Sequence, residues 1–196
     1  MTEISRFREN ITVEEIAECE LEWFKGEIVL VDDIKTFYEV FPRLLGYELL
    51  GFDTETKPTF KKGKKHVVSL VQLSTENLAC LFRINKIGFP DELGKLFANP
   101  KVIKTGVAVH DDIKALQDIK KFTPHAFIDL QNTVKDFGIQ CSGLKKLAAL
   151  ILGIRISKRQ QVTDWEATKL TEAQQVYAAT EAWVCHQIYR NLKDGQ

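Results

Sequence analysis

The chain is predicted to be an α/β domain, a mixed β-sheet flanked by α-helices. Short Val- and Leu-rich runs separated by polar turns fill the first half, and helical periodicity takes over in the second. The length of 196 residues suits one domain with a substantial core.

Thr12 is placed to cap a short helix through Val13–Trp23, with Glu14 and Glu15 in its first turn. Ile28–Val31 reads as a strand and the stretch near Asp33–Leu45 as a helix. A further strand ends in Leu49-Leu50-Gly51-Phe52-Asp53. A basic loop, Lys57–His66, separates it from strands at Val67–Leu73 and Leu78–Ile84. A short helix at Asp91–Ala98, a strand at Val102–Gly106 and a helix from Val109 follow. More helices are expected near Leu130–Phe137, Leu144–Leu152 and Thr171–Leu192, with Arg155–Asp164 as a mobile loop.

Lys plus Arg and Asp plus Glu both count 27, so any steering of a charged partner must come from local patches. Cys19, Cys80, Cys141 and Cys185 form no CxxC pair, which fits a reducing cytoplasm better than a disulfide framework. Cys80 and Cys185 lie in apolar surroundings, as core residues do. The first ten residues lack the apolar core of a signal peptide, and no run approaches membrane-spanning length, so no membrane association is expected.

The acids carry the chemical information. Alternation puts Asp53 and Glu55 on one face of their strand, and Phe52 and Thr54 on the other. Such a pair is either a solvated strand end or part of a cation site. In the helix from Val109, Asp112 falls within the arc of Val109, Ile113, Leu116 and Ile119, whereas Asp111 lies at its edge. In the last helix Glu181 shares a stripe with Tyr177, Val184, Ile188 and Leu192. An acid on a packing face either pairs with a buried Lys or Arg or ligates a metal. Gathered at one locus, Asp53, Glu55, Asp112 and Glu181 would need a cation, and four carboxylates suit Mg²⁺ or Mn²⁺ rather than zinc.

The runs Phe52-Asp53-Thr54-Glu55-Thr56, Gly106-Val107-Ala108-Val109-His110-Asp111-Asp112 and Tyr177-Ala178-Ala179-Thr180-Glu181 resemble, in order and spacing, the three motifs of the DEDD superfamily of 3′–5′ exonucleases. Tyr177 precedes the last acid by four residues and no His lies between Thr171 and Val176. The match is therefore to the tyrosine branch, which includes ribonuclease D and the Werner helicase exonuclease domain. Val68–Ser74 and Lys158–Trp165 are also similar to family segments. The resemblance implies a ribonuclease-H-like fold, with residues 1–25 as an N-terminal extension containing a short helix and 26–196 as the exonuclease domain. It implies two-ion hydrolysis of terminal phosphodiesters at single-stranded DNA or RNA 3′ ends. Asp53 would bridge two Mg²⁺ or Mn²⁺ ions, Glu55 and Glu181 hold the first, Asp112 support the second through water, and Tyr177 orient the attacking water.

One departure stands out: the family's third motif ends in Asp, and here it is Glu181. That raises an alternative, a catalytically weakened nucleic-acid-binding module of the same fold. The Lys57–His66 segment carries five Lys in ten residues. It is either a solvated loop or a phosphate clamp using Lys61, Lys62, Lys64 and Lys65, with Phe60 stacking on a base. Thr54, Lys158 and Arg159 join the expected substrate-binding set. His110, His125 and His186 read as structural or surface residues and Trp165 and Trp183 as packing residues, and no motif identifies a protein partner.

Overall fold

The computed structural model describes residues 7–58 and 67–194. The first elements are α1 (Val13–Glu18), β1 (Glu20–Leu21), β2 (Glu27–Val31) and α2 (Ile34–Val40), which runs on into a 3₁₀ turn at Phe41–Leu44. Then come β3 (Leu49–Thr56), β4 (Val68–Ser74), β5 (Leu78–Phe82), α3 (Ile84–Ile87), α4 (Asp91–Phe97) and β6 (Ile103–Gly106). The remainder is α5 (Val109–Ile119), β7 (Phe127–Asp129), α6 (Leu130–Thr133), α7 (Leu144–Leu147), β8 (Ile154–Arg155) and α8 (Glu172–Lys193).

Six strands form the main sheet in the order β2-β5-β4-β3-β6-β7. β4 is antiparallel to both β3 and β5, and every other neighbouring pair is parallel. The mixed sheet flanked by helices is therefore the expected architecture. Strand alternation sorts the core into two layers. Phe52, Val71, Leu73 and Phe82 pack with α2, α4 and α5 residues such as Phe37, Phe97 and Leu116. Aromatic rings tie that layer together, with Phe52 and Phe97 at 5.2 and 5.5 Å from Phe127. On the opposite face Leu70, Ala79 and Leu81 meet Tyr177, Ala178 and Ala179 of α8. Lys104 is fully buried on β6, yet its ammonium donates to Leu96 O at 3.2 Å and Asn99 O at 3.0 Å at the end of α4.

Several boundaries differ from expectation for tertiary reasons. Thr12 and Glu15 form the capping box of α1, but that helix stops at Glu18 rather than continuing to Trp23. The chain instead extends, and β1 pairs with β8 in a separate two-stranded sheet. Ile84 begins a helical turn rather than ending a strand. β7 has only three residues and shows no alternation to read. The expected mobile loop Arg155–Asp164 has no regular structure beyond Arg155, but Ile156 within it is buried and Trp165, the residue after it, is fully buried. Arg83 donates to Thr168 O at 3.0 Å and also to Ala167 O, pinning the segment to β5.

The site depends on how closely α8 lies on β3. A Cβ at Gly51 would sit 1.8 Å from Ala182 O, so only glycine permits this approach. Gly51→Ala is expected to destabilise the protein by about 3 kcal/mol, the upper range for forcing a methyl into a packed core. A lowered thermal midpoint with unchanged secondary structure by circular dichroism would show it.

Candidate active site

β3 continues to Thr56, so Asp53 and Glu55 lie within the strand rather than at its end, with a register irregularity between Glu55 and Thr56. Bulges of this kind re-aim side chains beside functional sites. Both acids face α8, which begins at a second capping box, Thr171 with Gln174. From α8 comes Glu181, buried like Glu55, while Asp53 is half-buried. Carboxylate oxygens of Asp53, Glu55 and Glu181 all lie within 4.8 Å of one another.

Asp112 stands apart from this trio. It belongs to α5, on the opposite face of the sheet, and accepts a hydrogen bond of 2.5 Å from the Thr54 hydroxyl. Thr54 thus engages an acid through the face it shares with Phe52. The start of α5 is set by Ala108, in the left-handed region at φ 58°, whose N–H donates to Asp129 at 3.2 Å.

The charges are mutually unfavourable. Burial, then the charges of Glu181 and Asp112, push the Asp53 carboxyl well above its usual range. Burial and the Glu181 charge raise Glu55 to about 9. Glu181 is raised chiefly by burial, against which the Tyr177 hydroxyl and then Lys158 act. Asp112 rises to about 6, again by burial, with the Thr54 hydrogen bond opposing. The Tyr177 hydroxyl is buried beside the Glu181 carboxylate. Burial and the neighbouring Glu181, Glu55 and Asp53 charges hold its proton firmly in place.

The trio opens into a cleft of about 220 Å³, also lined by Lys158 and Gln161 from the segment before α8. Arg159 lies outside it and lines an adjacent cleft. Phe60, Lys61, Lys62, Lys64 and Lys65 lie outside the described residues. Gln161 and Gln72 escaped the sequence reasoning. Gln72 pairs across the strands with Asp53 and is fully buried, and its amide has no hydrogen-bond partner among the described residues. A lone glutamine in the otherwise apolar run Leu70-Val71-Gln72-Leu73 was the signal available. Three converging carboxylates with a raised affinity for protons fit a hard divalent cation, which would relieve the repulsion that protons otherwise relieve.

Comparison with known proteins identifies the family. The 3′–5′ exonuclease family matches residues 28–195. The mouse bifunctional 3′-5′ exonuclease/ATP-dependent helicase WRN is 31% identical over 162 residues, covering 79% of this chain and 11% of that protein. Ribonuclease D of Acidiphilium cryptum is 31% identical over 174 residues, covering 85% of this chain and 43% of that one. The chain thus spans less than half of either relative. The crystal structure of the Aedes aegypti Nibbler EXO domain superposes with a TM-score of 0.77 at 26% identity, covering 88% of this chain and 91% of that domain. The chain belongs to the 3′–5′ exonuclease family.

The raised carboxyls make a signed prediction about stability. A carboxyl whose folded pKa lies above its unfolded value contributes stability below the unfolded pKa and loses it as pH rises through the folded one. For Glu55 that window runs from 4.5 to about 9. In chelator the thermal midpoint should fall between pH 5 and pH 9 by on the order of 5 °C, and Mn²⁺ should restore it at the alkaline end. A double variant, Asp53→Asn with Glu55→Gln, should flatten both responses.

Proposed function

We propose that the chain is a divalent-cation-dependent 3′–5′ exonuclease that hydrolyses terminal phosphodiesters of single-stranded DNA or RNA. The convergence of Asp53, Glu55 and Glu181 carries this reading. These residues would hold Mg²⁺ or Mn²⁺, with Asp112 serving a second ion. Bound there, the ions would supply a hydroxide near neutral pH and stabilise charge on the departing 3′-oxygen.

The chain's own residues do the rest. Tyr177 keeps its proton, so its hydroxyl can hydrogen-bond and orient the attacking water rather than act as a base. Lys158, on the wall facing Glu181, offsets the negative charge that would otherwise repel a phosphate. Thr54, through its hold on Asp112, keeps that acid oriented. Phe60 and the lysines of the basic loop would extend the grip on the strand. The unpaired cysteines support a reducing, cytoplasmic setting, and among the described residues no helix is long and apolar enough to cross a membrane.

Wild-type protein should shorten 5′-labelled single strands from the 3′ end with Mg²⁺ or Mn²⁺ and not in EDTA. Asp53→Asn should reduce the rate by on the order of 10³-fold while remaining folded, the scale lost with a group essential to charge stabilisation. Full activity in EDTA would overturn the metal mechanism.

Glu181 bears on the second reading, a binding module with weakened catalysis. Its carboxylate meets those of Asp53 and Glu55 despite the longer side chain. Glu181→Gln is therefore expected to lose most activity, and Glu181→Asp to keep at least part of it. An inert wild type beside an active Glu181→Asp variant would decide for the binding module.

A further inference from the structure

We infer that the cleft behind Tyr177 binds one unstacked nucleobase of the strand being trimmed, an inference that rests on the exonuclease reading. This cleft, about 470 Å³, is separate from the acid cleft. Its floor is Val176 and Tyr177 of α8, and its far wall is Leu21 and Trp23. Leu21 and Trp23 are 39% and 47% exposed, a large apolar surface to leave in water.

That wall is held rigidly. On one side of Trp23 the Glu22 N–H donates to Arg155 O at 2.9 Å, extending the β1–β8 pairing. On the other, the Phe24 N–H donates to the Thr180 hydroxyl at 3.0 Å, fastening the segment to α8. Trp23 also lines a second cleft, and Lys25, which lies over its ring at 5.2 Å, belongs to that second cleft alone. The half-exposed indole thus borders the cleft behind Tyr177 as well as the one that Lys25 lines. A fixed, half-exposed indole is a stacking platform that loses little freedom when a flat ring lands on it.

Position and charge favour a nucleobase over another flat or apolar ligand. Tyr177 lines this cleft and is also within electrostatic reach of the acid trio, Glu181 foremost. The segment before α8 straddles them, with Lys158 and Gln161 in the acid cleft and Arg159 here. A strand with its end at the acids would therefore meet a cation at each cleft. Of the two acids lining this cleft, Glu22 is paired with Lys25 at 2.7 Å, and Glu172 lies in the exposed first turn of α8.

The test uses 5′-labelled strands carrying one abasic site at each of the last five 3′ positions in turn. On intact strands Trp23→Ala should raise KM about tenfold with kcat within about twofold, as expected for loss of one stacked base. Trp23→Phe should recover most of that loss, which a merely structural defect would not allow. At one abasic position wild type should lose as much as the variant, and Trp23→Ala should lose nothing further. Unchanged KM in Trp23→Ala, or additive losses at every position, would overturn the inference.

A second arm needs no catalysis. In EDTA, wild type should bind adenosine but not ribose, measured by isothermal titration calorimetry, and Trp23→Ala should bind neither. Adenosine binding by a protein that trims nothing would sink the exonuclease reading and leave the cleft standing. Trimming without adenosine binding would do the reverse, leaving an apolar peptide of a protein partner as the occupant to pursue.

Discussion

The contact between the backbone of α8 and Gly51 is the constraint on which the site depends. Because residue 51 has no side chain, the Ala182 carbonyl can lie directly on β3. Glu181, one residue earlier in the helix, is thereby lowered toward Asp53 and Glu55, while Tyr177 one turn before lies beside them. A wider spacing would leave each acid free to reach water. The small residues Ala178, Ala179 and Ala182 in the same helix are fully buried and serve the same close fit.

Closeness has an electrostatic cost. Carboxylates buried together cannot all ionise cheaply, and the upward shifts of Asp53, Glu55 and Glu181 express that conflict. Packing of the flanking layers holds the conflict in place, since the same strands carry Phe52 and Leu70 into two well-filled faces. A site of this kind trades stability of the bare protein for affinity toward a cation. Asp112 approaches from the other face of the sheet, where Thr54 gives it a donor, yet its charge still adds to the strain on Asp53.

Much of this was legible from local pattern. Helical periodicity placed Glu181 on the packing face of α8, and the alternation of β3 put Asp53 beside Glu55, because both rules depend only on backbone geometry. The motifs then named the family. What was hidden depends on distant pairing. The separation of Asp112 from the trio is set by a hydroxyl 58 positions away in sequence. The end of α1 at Glu18, and with it the stance of Trp23, follows from two residues of β1 meeting two of β8, a pairing too short to leave a periodic trace. β7 was missed for the same reason. Gln72 was visible but unread, because one polar residue in an apolar strand looks like an exception until its partner across the ladder is known to be Asp53.

The sheet order has a consequence for the sequence of events in folding. β3, β4 and β5 are antiparallel neighbours in chain order and can zip together early, since their contacts are local. α8 arrives from the far end of the chain, yet it covers the middle of that sheet. Until it docks, Asp53 and Glu55 are two acids in water, Tyr177 is elsewhere, and no three-carboxylate cage exists. Any chain in which α8 is undocked therefore lacks the site, however well β3, β4 and β5 are paired.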